Sequence, residues 1–324
     1  MTRAARPRRS RDDRSFRFGT GLFAAAVLLL VAGIGFELVR QSWLSIHKFG
    51  LHFWTTKTWD PVAGDFGALP FIWGTLYSSL IALMISTPIA LGIAIFSSEL
   101  SPRRLRQPLA YLTELLAAIP SIVYGLWGIF VLVPMIRRLE LATPAWLRRV
   151  PLFHGPPLGV GMLTAALILA VMVIPFTSSV AREILKNVPT AQREAAYALG
   201  ATRWEAIQVA IGYGKTGIIG AIMLGFGRAL GETMAVTMVI GNSPQVSASL
   251  YAPQYTMAAV IANEFTEAAD ELYLNALIEI GLLLFVITIA VNAISRLLIW
   301  SMKKRVKVAG IALPPAVLVE ERAA

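Results

Sequence analysis

Residues 71–96 read FIWGTLYSSLIALMISTPIALGIAIF, an unbroken run without a single charged side chain. At about 1.5 Å per residue, a helix needs roughly 18–20 residues to cross the ~30 Å hydrocarbon layer of a bilayer, and this stretch exceeds that. Working outward, five more apolar runs appear: 21–38 with Glu37, 109–136 with Glu114, 158–181 with no charge, 216–241 with Arg228 and Glu232, and 275–300 with Glu279 and Arg296. Across all 324 residues, 56% are hydrophobic and 15% charged, with a mean hydropathy of +0.65. These values point to an all-α membrane protein with six transmembrane helices and leave no room for a large soluble domain. The expected division is a basic tail over 1–20, a first transmembrane helix over 21–38, an outer segment over 39–70, a transmembrane domain over 71–300 with a long connection at about 182–215, and a C-terminal tail over 301–324.

The formal net charge of +10 would suggest nucleic acid in a soluble protein, so the placement of the charges decides. Taking connections alternately, segments 1–20, 97–108, 182–215 and 301–324 hold 20 Lys and Arg residues, whereas 39–70, 137–157 and 242–274 hold 7. The positive-inside rule accounts for that asymmetry, places both termini in the cytoplasm and leaves no charge patch for a phosphate backbone to explain. Arg137, Arg138, Arg148 and Arg149 run against the trend on the outer side. The chain lacks cysteine, which excludes disulfides, thiol chemistry and cysteine metal sites. The first apolar run follows an Arg-rich start but is longer than a signal-peptide core and lacks a small-residue cleavage site, so it reads as a retained span. The Arg-rich stretch from Met1 to Phe18 reads as disordered or lying on anionic lipid. Trp43, Trp54 and Trp59 read as an interfacial belt. Segment 242–274 has Glu264, Glu267, Asp270 and Glu271 but no Lys or Arg, and reads equally as a partner-facing surface or a solvated loop.

Several motifs fail on inspection. GYGKTGIIG has Val209 where a phosphate-binding loop needs glycine, and no strand precedes it. GFGRALG has three residues rather than two between its last glycines. His47, His52 and His154 lack ligand spacing, so no metal site is expected. No nucleophile and base pair stands out, so no catalytic residue is assigned. Gly227 and Gly231 form G-x-x-x-G, a spacing that suits close helix packing in membranes.

The connection from Arg182 to Lys215 is far longer than a turn requires. In PTAQREAAYALGATRWEAIQVAIG, residues 189–212, Thr190 is placed to cap a helix through Glu194, Ala195, Ala196 and Leu199 that ends at Gly200. Thr202 and Glu205 then form T-x-x-E, a capping box that starts a second short helix, which the glycines at 212–214 can end. The expected unit is two short helices at a fixed angle; an amphipathic connector lying on the bilayer is the other reading.

EAAYALGAT, Glu194 to Thr202, resembles the EAA loop of binding-protein-dependent ABC importer permeases. IPSIVYGLWG (Ile119 to Gly128) and GRALGETMAVTMVIGN (Gly227 to Asn242) resemble the permeases of phosphate-specific transporters, of the C-subunit type rather than the A-subunit type. The resemblance covers most of the chain, from about the second span to the sixth. It implies a type I importer fold of the MetI-like kind, a bacterial inner-membrane location with a periplasmic 39–70 segment, and phosphate as cargo. It implies as partners a homologous A-type permease, a cytoplasmic ATPase dimer that hydrolyses ATP, a periplasmic phosphate-binding protein and membrane lipid, with no cofactor on this chain. It assigns Glu194, Ala195, Ala196 and Gly200 to a coupling helix that docks in the ATPase. Sulfate or molybdate import, or an ATPase-independent channel or receptor, are the competing functions.

Within that resemblance, Arg228 and Glu232 are expected on one helix face, four residues apart and able to pair. A charge at the centre of a membrane helix costs about 2.5–3.5 kcal/mol, so both must face protein or water. A guanidinium offers two-pronged donation to an oxyanion, and a neighbouring carboxylate would make the site transient. Two readings stay open: a site on the phosphate path, or an ion pair that fixes two helices.

Overall fold

The computed structural model describes residues 11–308. The chain is almost wholly helical. α1 (Arg11–Gln41) is followed by α2 (Trp43–Phe49), a small β-hairpin of β1 (Trp59–Asp60) and β2 (Asp65–Phe66), and α3 (Leu69–Ile95). Then come α4 (Arg103–Ala118), α5 (Ser121–Trp127), α6 (Val133–Ala142), α7 (Ala145–Arg148), α8 (Met162–Lys186) and α9 (Thr190–Ala198). The chain continues through α10 (Arg203–Leu230), α11 (Met234–Thr237), α12 (Met257–Glu264) and α13 (Glu271–Val308). Six stretches are long and apolar enough to cross a membrane: Phe16–Gln41, Leu69–Leu100, Ser121–Ala142, Met162–Lys186, Arg203–Leu230 and Glu271–Ser301. An even number of spans brings both ends of the described chain to the side that bears α9.

The centre of the bundle is the pairing of α3 with α8. Gly74, Ser78, Ala82, Ser86, Ala90 and Ala94 recur every fourth residue of α3, and all are buried. Such a row is a shallow groove, and the four-residue ridge of α8 through Ala165, Leu169, Val173, Thr177 and Ala181 is buried as well. In lipid, where water does not drive helices together, close approach along small residues supplies the van der Waals contact that holds the pair. At the hairpin end the groove tightens further. A Cβ on Gly74 would sit 2.1 Å from the Tyr255 carbonyl oxygen, so only glycine fits.

Segment 242–274 is not a free loop. The N–H groups of Met162 and Leu163 donate to the carbonyls of Ala252 and Leu250, and Met257 N–H donates to Thr75 Oγ1 at 2.9 Å. Tyr255, Met257, Ala259 and Val260 are buried with Phe53, Phe66 and Phe71, so the segment turns back into the bundle. Glu264 Oε2 accepts from Trp59 Nε1 and the Tyr273 hydroxyl, while Glu267, Asp270 and Glu271 remain exposed. Trp59 is therefore an internal aromatic, 4.9 Å from Phe66 and 4.8 Å from Phe71 between ring centres, and not part of an interfacial belt. Trp43 and Trp54 are exposed as expected.

Three boundaries differ from those read in the sequence. The basic tail is helical from Arg11 onward; positions 1–10, and the part of the C-terminal tail beyond Val308, lie outside the described residues. The apolar run at 109–136 is not one helix, because Ile119 precedes Pro120 and is extended, φ −64°, ψ 129°. A residue before proline is pushed out of the helical region, so α4 stops there and the third span starts at Ser121. The fifth span begins much earlier than residue 216 and stops earlier than 241. Its termination forms the site.

Candidate functional site

α10 starts at the capping box read from the sequence. Glu205 N–H donates to Thr202 Oγ1 at 3.4 Å, and Thr202 N–H donates to Glu205 Oε2 at 2.7 Å. The helix then runs through Gly212 and Gly214 without a break, so there is no second short helix. These glycines lie within an intact hydrogen-bond ladder whose neighbours Ala210 and Ile218 are buried, and packing outweighs their low propensity. The long connection is α9 alone, followed after four residues by the helix of the fifth span.

α9 begins after Pro189, and Thr190 forms no side-chain cap. It ends where Gly200 takes φ +83° with no atom near its Cβ position, so the left-handed backbone rather than crowding requires glycine there. Glu194 and Ala195 are exposed, whereas Ala196 is 8% exposed and packs against its own chain. Beyond them Leu199 is 90% exposed, and Tyr197 and Trp204 are about half exposed, which leaves an apolar surface at the tip.

At the other end of α10, Arg228 and Glu232 do not share a helix face. The helix stops at Leu230, Gly231 has φ −93° and ψ 2°, and the chain is non-helical until Met234. Glu232 Oε1 accepts the Ala235 N–H at 3.4 Å at the start of α11, and Thr237 Oγ1 donates to the Thr233 carbonyl. Among the described residues no carboxylate lies within 4.0 Å of Arg228. The guanidinium is exposed and lies 5.7 Å from the ring centre of Phe176, which follows the buried Pro175 of α8. The expected ion pair is thus replaced by a half-buried carboxylate bonded to backbone and a free guanidinium resting on an aromatic face.

The apolar sequence continues past the break to Ile240, so the run contains irregular backbone that would need shielding from lipid. That is tolerated only where protein or an aqueous cavity covers it. Here Ala235, Val236, Val239 and Ile240 are buried against α5 and α8, while the Arg228 side is open. A helix that breaks beside an exposed guanidinium is suited to receive an anion. Gly227 meets nothing within 4 Å, and Gly231 meets only the Gly227 carbonyl at 3.9 Å. No other helix among the described residues packs on their G-x-x-x-G face.

The model of the family described as the binding-protein-dependent transport system inner membrane component matches residues 86–307, which include α8, the α9 loop and the broken α10–α11 unit. The chain belongs to that family. This inner membrane component is 46% identical over 299 residues to the phosphate transport system permease protein PstC of Mesorhizobium japonicum, covering 90% of this chain and 91% of the relative. It is 48% identical over 296 residues to the protein of the same name from Pasteurella multocida, covering 90% and 92%. Its fold is similar to that of a chain of the MetNI methionine ABC transporter, with a TM-score of 0.50 at 18% identity over 70% of this chain and 93% of that one. The MetI-type importer fold is therefore the one observed.

Sequence reading missed Phe176, Glu99 and Arg193. Phe176 looks like any aromatic in an apolar run. Glu99 and Arg193 are far apart in sequence and are brought together only by the return of α8; Glu99 closely follows the apolar run 71–96, whereas Arg193 lies inside the polar connection after 158–181.

Proposed function

We propose that this chain is the permease subunit of an ATP-driven importer of inorganic phosphate. It pairs with a homologous A-type permease, receives phosphate from a periplasmic binding protein, and is driven by a cytoplasmic ATPase dimer that binds and hydrolyses the ATP. The near-half identity to phosphate transport system permeases over nine-tenths of the chain carries this reading. The site agrees with it chemically: Arg228 is exposed, unpaired with any carboxylate within 4.0 Å among the described residues, and set at a helix break. In this reading Arg228 receives the anion, and Glu232 acts through the backbone to shape the break. Gly227 and Gly231 present their open face to the partner permease. Glu194, Ala195 and Gly200, with the exposed Tyr197 and Leu199, form the surface that seats in the ATPase, while Ala196 holds that helix on its own subunit. The charge asymmetry supports both termini and α9 on the cytoplasmic face of the inner membrane.

Uptake of labelled phosphate in cells with and without this chain, in competition with unlabelled sulfate and molybdate, tests the reading. Uptake that depends on the chain and resists both competitors is expected. Uptake abolished by sulfate or molybdate would reassign the cargo.

A further inference from the structure

The inner end of α3 carries a buried charge cluster that neither the substrate path nor the apolar docking tip accounts for. After Ile95 the helix widens into one π-helical turn, Phe96–Leu100, and this turn holds Glu99. Its carboxylate is gripped by Arg193 of α9, with Nε to Oε2 at 3.2 Å and an Nη2 to Oε1 contact of 2.5 Å. The same guanidinium donates to the carbonyls of Leu185 and Val188 at 2.9 Å each, at the end of α8. Arg203, in the first turn of α10, donates to the Glu99 carbonyl at 3.0 Å. The two ion-pair side chains are 19% and 11% exposed. One residue thus receives both flanks of the Gly200 turn, and one guanidinium ties three helices.

Surface ion pairs contribute little, but this one is two-pronged, mostly buried and further bonded to backbone, the arrangement in which such a pair holds one geometry. The cluster also leads somewhere. Leu185 and Phe176 lie on the same helix, nine residues or about 13 Å apart. Phe176 is the ring beneath Arg228, and α3 and α8 pack together along their length. Displacing α9 without displacing α8 would require stretching the Arg193 bonds.

We propose that Glu99 and Arg193 are positioning residues that lock the α9 loop to the inner ends of α3 and α8, so that movement of the loop moves the helix bearing Phe176 as one body. The proposal rests on the importer reading above. In it, Arg193 does not contact the ATPase; it converts docking into helix motion. Loss of the pair therefore uncouples hydrolysis from transport without preventing association.

The test uses the complete complex, with partner permease, ATPase and binding protein, in proteoliposomes. Three quantities are read: assembly, ATPase rate, and labelled phosphate moved per ATP hydrolysed. The wild-type complex separates the two claims, since absence of ATP-driven phosphate uptake there refutes the importer reading itself. With wild-type uptake established, Glu99→Gln is expected to assemble and hydrolyse ATP within about twofold of wild type, while phosphate per ATP falls roughly tenfold, within the range of couplings carried by contact networks. Glu99→Asp, which keeps the carboxylate, recovers part of the ratio. Arg193→Lys, which keeps the charge but loses the planar fork, falls between. An unchanged ratio in assembled Glu99→Gln or Arg193→Lys overturns the proposal. So does an equal fall in ATPase rate and uptake, which would make the pair a docking contact. Failure of both variants to assemble overturns it too, because the pair would then be a folding contact.

Discussion

Arg228 stands out in the sequence because a charge in an apolar run must find water or protein; in the structure it is exposed and rests on the Phe176 ring. Its expected partner does not pair with it. Spacing alone puts Glu232 four residues along the same helix, but Gly231 lies between, and Glu232 turns to the Ala235 N–H instead. Apolar periodicity is blind to a break of three residues when the flanking residues stay apolar, so the pairing was not legible. The correction changes what substitutions should do. Glu232→Gln leaves no buried cation uncompensated and keeps an oxygen for the Ala235 N–H, a bond worth about 1 kcal/mol, so phosphate uptake should stay within about threefold of wild type. Arg228→Gln removes a charge-assisted donor worth about 1.5–3 kcal/mol, and uptake per assembled complex should fall about 10- to 100-fold. Arg228→Lys should fall between, with the charge kept and the fork lost. Equal losses in Glu232→Gln and Arg228→Gln would restore the ion-pair reading.

At the level of elements, four of the six spans were legible to within about five residues at each end, since length and hydropathy suffice, whereas the third and fifth were shifted at both ends. What was missed were the junctions. Ile119 before Pro120 separates α4 from the third span, and the capping box at Thr202 opens a helix that continues to Leu230 rather than a short one. Gly200 was legible, and its φ of +83° makes a direct prediction. Gly200→Val meets no neighbour, so its cost is the left-handed backbone alone, about 1–2 kcal/mol, paid by reorienting α9. The variant should insert in the membrane yet lose ATPase association or stimulation; normal uptake with normal association would remove α9 from coupling. The four-residue row from Gly74 to Ala94 was not picked out from the sequence, because small residues in an apolar run carry no hydropathy signal, yet it decides the central helix pair. Ala82, 0% exposed, replaced by Leu should overpack that pair by about 1–3 kcal/mol and lower the thermal midpoint of the purified complex. Met84→Leu, at a position 69% exposed, is the control and should leave the midpoint unchanged. Equal midpoints for both variants would mean that the row is not the packing seam.

For the whole molecule, the topology we propose from the charge asymmetry and the six candidate spans has α7 outside and α9 inside. Trp146 of α7 is 68% exposed and lies beside the outer arginines that run against the positive-inside trend. A reporter fused near Trp146 should report the periplasm, and a cytoplasmic signal there would invert the topology. The all-α membrane class and the six spans followed from composition and run length, while the MetI-like fold and the cargo came only from resemblance and then from the comparisons, because one exposed guanidinium does not by itself choose among oxyanions. The proposed function has this chain move phosphate, on energy from ATP, past Arg228. Its most direct test is labelled phosphate uptake per assembled complex in proteoliposomes, with ATP inside or withheld and with excess sulfate outside, for wild type and Arg228→Gln. ATP-dependent uptake that ignores sulfate and collapses in Arg228→Gln is the predicted result; uptake without ATP, loss to sulfate competition, or a wild-type rate in Arg228→Gln would contradict it.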